Sequence, residues 1–279
     1  MIGLLGITLF SLGFSLSQAP LWQDDVANPY LFARRFAPPQ DTRLLRTIEN
    51  NAFRVGEHLV FDIKYGIIKA GEGIFSVPMR DTLYGRQVYH VSFRARSNSA
   101  FDIIYKVDDR FDTFIDTAGI FPWRFSQRLR EGKFKSDYSA DFDQANNTAY
   151  SEKAIIKTPP YVHDVVSAFF YVRTIDFSSA RMGQRYNLNN FYRDSTYDLA
   201  VRYLGTQRIE VPSGKFDCII IEPLIKDGGL FKGEGRIVIW MTNDERKVPV
   251  KVQTKISIGK VDAELKHYNG VITPWRGKL

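Results

Sequence analysis

The last third of the chain carries the strongest constraint on its fold, an alternation of apolar and polar residues with a period of two. Val252, Thr254 and Ile256 share one parity, and Lys251, Gln253 and Lys255 share the other. Val261, Ala263 and Leu265 oppose Asp262, Glu264 and Lys266 in the same manner. Successive side chains of a strand point to opposite faces, so the pattern describes a sheet with one dry face and one wet face. A sheet wet on one side is antiparallel rather than a helix-covered parallel one. A hairpin about Ser257-Ile258-Gly259 is expected to set Lys255 beside Asp262, a favourable cross-strand pair. That register keeps the apolar residues on one face.

The same grammar runs back along the chain from Phe53. Strands are predicted over His58–Tyr65, Gly71–Val77 and Gln87–Arg96, with a bend at Gly66–Ala70 and a turn at Asp81–Arg86. Phe121–Arg130 and Lys133–Phe142 form a predicted hairpin about Glu131-Gly132, and Tyr197–Val211 and Phe216–Ile221 another about Pro212-Ser213-Gly214. Gly235–Met241, Val250–Ile256 and Val261–His267 complete the set. One segment departs from it. After Pro159-Pro160, Asp164 is a predicted N-cap, and Val165, Ala168, Phe169 and Val172 follow at helical spacing. Val166, Phe170 and Tyr171 make the other side of this helix apolar too, so it should be buried. The expected fold is mainly β, an antiparallel, strongly curved sheet or open β-barrel, with one packed helix that plugs or closes it.

The N-terminus differs in kind. From Ile2 to Leu16 the chain carries no charge, a run too short to span a bilayer but of the length of a signal-peptide core. Ser17-Gln18-Ala19 supplies small residues where a signal peptidase cuts. We therefore expect a signal peptide over 1–19, an N-terminal extension over 20–51 with a short helical turn at Thr42–Ile48, and a single β-rich domain over 52–279. The lone cysteine, Cys218, lies in an apolar run and reads as an inert core thiol, so no internal disulfide forms. No later segment reaches transmembrane length, and the product is not expected to span a membrane once its leader is removed.

Few residues are spaced as catalytic or metal-binding motifs require. His58, His90, His163 and His267 are scattered without metal-ligand spacing, and neither metal nor cofactor is expected. Ser167 lies near His163 and Asp164, but no strained elbow of the Gly-x-Ser-x-Gly type surrounds it, and a small residue at a helix contact is the favoured reading. Gly228-Gly229, Gly233 and Gly235 precede a strand rather than a helix, which argues against a phosphate cradle. Glu57, Glu72, Asp108 and Asp109 are candidates for a hydrolytic carboxylate pair, a chemistry decided by separation in space.

Charge is more informative. The net charge is +7. Arg124, Arg128 and Arg130 share parity on one arm of the Phe121–Phe142 hairpin, and Lys133 and Lys135 share parity on the other. Trp123, Phe125 and Phe134 take the opposite face. Trp123, Arg124, Arg128, Arg130, Lys133 and Lys135 are the candidate site for an anionic lipid or glycan, or for another envelope protein, although Asp137, Asp141 and Asp143 dilute the charge. No recognition helix or stacking motif supports nucleic-acid binding.

With its strands placed, the sequence resembles a bacterial family of exported proteins, domain of unknown function 3108. The resemblance covers about Phe53 to Tyr268. Its landmarks are Phe53-Arg54-Val55-Gly56-Glu57, Gly66 with Ala70-Gly71, Tyr105-Lys106-Val107-Asp108-Asp109 and Gly119-Ile120-Phe121-Pro122. Asp164, Ser167, Tyr171 and Arg173 match in the helix. Pro212-Ser213-Gly214-Lys215-Phe216, Val238-Ile239-Trp240 with Asp244, Val248-Pro249-Val250 and Ile258-Gly259 match beyond it. The resemblance implies an exported β-rich protein of the periplasm or cell envelope of a Gram-negative bacterium, and carries over no substrate, cofactor or catalytic residue. The expected function is non-enzymatic binding of a lipid, glycan or protein partner. The alternative is a hydrolase acting on an envelope polymer through a carboxylate pair.

Overall fold

A computed structural model describes residues 45–225, 236–255 and 259–272, and turn chemistry cuts these described residues into fourteen strands. The first six strands are β1 (His58–Tyr65), β2 (Ile68–Leu83), β3 (Arg86–Ser97), β4 (Asp108–Asp116), β5 (Pro122–Glu131) and β6 (Phe134–Asp143). A four-residue helix, α1 (Ser99–Asp102), sits between β3 and β4. Two short strands, β7 (Thr148–Ser151) and β8 (Ile155–Lys157), lead to the helix α2 (Val165–Val172). Then come β9 (Arg185–Tyr192), β10 (Ser195–Val211), β11 (Gly214–Ile225), β12 (Ile237–Thr242), β13 (Pro249–Lys255) and β14 (Lys260–Asn269).

All fourteen join one antiparallel sheet in the order β8-β7-β6-β5-β4-β3-β2-β1-β14-β13-β12-β11-β10-β9. The two halves of the chain each run as a meander, and the pairing of β1 with β14 joins them. The sheet curls until its ends approach. Phe191 of β9 packs edge-on against Phe142 of β6 at 5.4 Å, and the Tyr138 hydroxyl donates to Asp194 Oδ1 at 3.1 Å. No ladder closes the gap between β8 and β9, so the mainly β, open-barrel expectation is met.

The helix fills the curl, as its all-round apolar surface requires. Asp164 caps it by accepting from the Val166 and Ser167 amides at 2.8 and 2.9 Å, satisfying two otherwise orphaned donors. Phe169 stacks on Phe75 of β2 at 5.4 Å, and Phe170 meets Phe53 edge-on at 4.8 Å. The segment before α2 is tied to the β9 edge, where His163 bridges Asn190 and accepts from the Phe191 amide at 2.7 Å. Among the described residues no helix is long and apolar enough to cross a membrane.

Several expectations are corrected. β4, β7, β8 and β9 are strands that the pattern did not reveal. β9 is joined to β10 by a two-residue turn, Arg193-Asp194, in which both residues have positive φ (46° and 64°) without a glycine to signal it. The bend at Gly66–Ala70 tightens to Gly66-Ile67, because β2 already begins at Ile68. The expected pairing of Lys255 with Asp262 is shifted by two residues: Lys255 lies opposite Lys260, and Asp262 opposite Gln253. A shift of two preserves which face every side chain takes, so the apolar pattern could not distinguish the registers. The helical turn expected at Thr42–Ile48 is absent from residues 45–48. Its first residues, the leader and the glycine-rich stretch through Gly235 lie outside the described residues.

Candidate functional site

Where α2 crosses the concave face of the sheet, packing leaves a partly enclosed cavity of about 110 Å³. Val165, Ala168, Phe169 and Val172 of α2 form one wall, and Phe61, Phe75 and Phe93 of β1–β3 another. Val201, Ile221, Ile239 and Val252 close the far side from β10–β13. Among the described residues Asn190 is the one polar side chain in the lining, and its Nδ2 donates to the His163 carbonyl at 3.1 Å. Gly73 belongs to the wall as well. A Cβ placed there would stand 3.4 Å from the Phe93 ring and 3.5 Å from Ile63, so glycine keeps the space clear. An apolar cavity of this kind favours a hydrocarbon group over water, which would find almost no polar partner.

Beside it lies the Ser167, His163 and Asp164 group, all fully buried. Its hydrogen bonds do not form a nucleophilic triad. The Asp164 carboxylate faces the helix N-terminus and accepts from Thr113 Oγ1 at 2.7 Å, away from the imidazole. Arg46 Nη2 lies 3.1 Å from His163 Nε2, and guanidinium can only donate, so Nε2 accepts and the ring proton sits on Nδ1. Nδ1–H then donates to Ser167 Oγ at 3.4 Å, leaving no lone pair to take the serine proton. Ser167 Oγ itself donates to the Asp164 carbonyl at 3.2 Å. Burial, and then the Arg46 charge, hold His163 far below its usual value and keep the ring neutral. Arg46 is sandwiched between the rings of Tyr161 (4.4 Å) and Tyr171 (4.6 Å) and donates to the Gly119 and Ile120 carbonyls. This cluster is a structural clasp between the N-terminal segment and α2.

The four candidate carboxylates are dispersed. Glu57 is paired with Arg173 in the interior, Glu72 with Lys69 and Lys266, and Asp108 with Arg94 and Arg96. Glu72 stands opposite Asp62 of β1, with Lys69 and Lys266 bridging the two carboxylates, whereas Asp109 meets Glu131, a residue placed in a turn by the sequence, with no cation between them among the described residues. Both are sealed from solvent, at 0% and 1% exposure. Burial, then the Asp109 charge, raise Glu131 to about 9, so it is protonated at neutral pH and shares its proton with Asp109. Parity on β5 was the available signal, since Glu131 falls on the inward face with Phe125 and Leu129.

The histidines also remain apart. His90 Nε2 lies 2.8 Å from Asp112 on the outer face, and His58 and His267 are exposed on β1 and β14. Among the described residues no three His, Cys, Asp or Glu side chains converge as a metal site would need. Cys218 is buried, and burial pushes its thiol up to about 12, an unreactive state.

The basic hairpin divides. Trp123 is fully buried on the inner face, donating from Nε1 to Asp116 at 2.9 Å. Arg124 is locked to Asp141 at 2.6 Å, and Arg130 to Asp137 at 2.8 Å. Arg128, Lys133 and Lys135 are exposed and have no ion-pair partner among the described residues.

Among solved structures, a β-barrel-like protein of domain of unknown function DUF1849 from Brucella abortus superposes with a TM-score of 0.52 at 12% identity, covering 78% of this chain and 98% of that one. A protein from Parabacteroides distasonis described as a lipoprotein gives 0.34 at 11% identity, over 80% and 99% of the two chains. One from Bacteroides fragilis described as exported, with a YmcC-like fold, gives 0.31 at 12% identity, over the same shares. Only the first likeness is close enough to speak for the fold. A search of curated proteins finds no match. The model of the family described as "Protein of unknown function (DUF3108)" matches residues 60–266, from β1 into β14 and thus across both meanders and the helix between them: the chain belongs to the DUF3108 family.

Proposed function

We propose that this protein is an exported, non-enzymatic component of the bacterial cell envelope that holds an apolar ligand, a lipid acyl chain, between α2 and the curved sheet. The observation that carries the reading is the apolar cavity, whose walls combine α2 with strands of both meanders and include, among the described residues, a single polar side chain, Asn190. Export is supported by the uncharged run from Ile2 to Leu16 and the small residues after it. The hydrolase alternative draws on the contact of Asp109 with Glu131, but a pair sealed in the core offers no path for a polymer or for attacking water.

The test is displacement of a polarity-sensitive fluorescent fatty acid by unlabelled fatty acids. The parent protein should bind the probe, and Gly73→Leu, which fills the cavity, should weaken binding at least about tenfold while circular dichroism stays unchanged. A parent that leaves the probe in water, or a folded Gly73→Leu protein that binds equally well, overturns the reading.

A further inference from the structure

Folding removes apolar side chains from water, yet one rim of the barrel presents them outward. Of the nine large apolar side chains exposed among the described residues, five lie on two neighbouring turns and the connection between them. Ile67 (98% exposed) is in the β1–β2 turn and Ile68 (59%) begins β2, Ile103 and Ile104 (88% and 63%) follow α1, and Phe134 (40%) begins β6. The three segments touch. Asn98 Nδ2 donates to the Lys69 carbonyl at 2.7 Å, and the Gly132 amide donates to the Lys106 carbonyl at 2.8 Å.

The isoleucines are displayed by built structure rather than by a frayed loop. Asn98 caps α1 by accepting from the Phe101 amide at 2.8 Å, Phe101 is buried, and the Ile104 and Tyr105 amides both donate to its carbonyl. Such a loop would fold as well with polar residues at 103 and 104, so their presence needs another cause. Behind the apolar tips stand lysines. Lys106, Lys133, Lys135 and Lys255 are exposed at the same rim and have no ion-pair partner among the described residues.

We propose that this rim docks on an anionic lipid bilayer, with Ile67, Ile68, Ile103, Ile104 and Phe134 entering the headgroup layer and the four lysines meeting lipid phosphates. A protein partner would need a complementary surface of about 800 Å². These side chains instead stand as separate projections on loop tips, which a fluid headgroup layer accommodates without a matching shape. The unpaired positive charge selects acidic lipids, each lysine adding roughly fivefold to the affinity. Docking there is independent of what occupies the cavity.

The experiment is co-sedimentation of the protein, purified in the form cells produce, with vesicles of phosphatidylcholine containing about 30% phosphatidylglycerol, against phosphatidylcholine alone. The acidic vesicles should bind at least about tenfold more tightly, and about 1 M salt should remove that preference. Ile67→Asp with Ile103→Asp should lower binding at least about tenfold, and Lys106→Glu, Lys133→Glu and Lys135→Glu together should do the same. Met182→Asp, exposed away from these turns, should bind as the parent does. A parent that ignores acidic vesicles, or folded isoleucine and lysine variants that bind as tightly as the parent, overturns the proposal.

Discussion

Arg173 and Glu57, 116 positions apart, meet in the interior as a two-pronged ion pair with Nη1–Oε1 at 2.7 Å and Nη2–Oε2 at 2.9 Å. Neither side chain is more than 1% exposed. The remaining guanidinium donors reach the Ala52 and Arg246 carbonyls, and the rings of Phe53 and Phe170 lie within 5.5 Å of its centre. The pair ties the C-terminal end of α2 to the segment entering β1 and to the loop between β12 and β13.

Breaking that pair from one side strands a buried charge. Glu57→Ala should cost about 3–5 kcal/mol of unfolding free energy, measured by urea denaturation. The double variant Glu57→Leu with Arg173→Met should recover part of the loss while staying below the parent, because the Ala52 and Arg246 carbonyls lose their donor. Equal stability of Glu57→Ala and the parent would contradict the pair's structural role.

Glu131 predicts an alkaline loss of stability. Its folded value is raised from 4.5 to about 9 by burial and by Asp109, so the folded state holds a proton that the unfolded chain releases. That stabilisation is full below about pH 4.5 and declines as pH rises toward 9. Glu131→Gln keeps a neutral side chain of the same shape. Its unfolding free energy should therefore fall less steeply between pH 5 and pH 9 than the parent's.

His163 predicts the opposite slope on the acid side. The ring is held neutral in the fold, whereas the unfolded chain protonates it near 6.5. Its contribution is present above that value and is lost as pH falls below it. NMR at pH 5.5 should show an uncharged imidazole with its proton on Nδ1, and His163→Gln should be less sensitive to acid than the parent. An imidazolium signal at that pH would refute the clasp with Arg46.

Two glycines of β2 separate backbone crowding from cavity space. A Cβ on Gly71 would fall 2.1 Å from the Arg96 carbonyl oxygen and 2.9 Å from Ser97 Cα, both backbone atoms of β3. Gly71→Ala should therefore cost more than about 2 kcal/mol. Gly73→Ala meets only side-chain atoms at 3.4–3.5 Å and should stay within about 1 kcal/mol of the parent. Thermal unfolding of the two variants measures the contrast.

Period-two alternation by itself determined that Val252, Ala263 and their neighbours line one face of an antiparallel sheet, because parity along a strand is a local property. The α2 helix was equally legible: Asp164 and the spacing of Val165, Ala168, Phe169 and Val172 state both its start and its burial. Register was decided by tertiary structure, since Lys255 opposite Lys260 and Lys255 opposite Asp262 satisfy the same parity. So was β9, whose Arg193-Asp194 turn relies on backbone strain that no glycine announces.

The electrostatic partners also belonged to the fold. Parity placed Arg124 and Arg130 on one face, but only pairing with β6 set them against Asp141 and Asp137 and left Lys133 and Lys135 without an ion-pair partner among the described residues. Asp109 meets Glu131, and Arg173 meets Glu57, through strand pairing and long-range packing respectively. Sequence fixes which side of a strand a residue takes; what it meets there depends on which distant segment the curled sheet brings opposite.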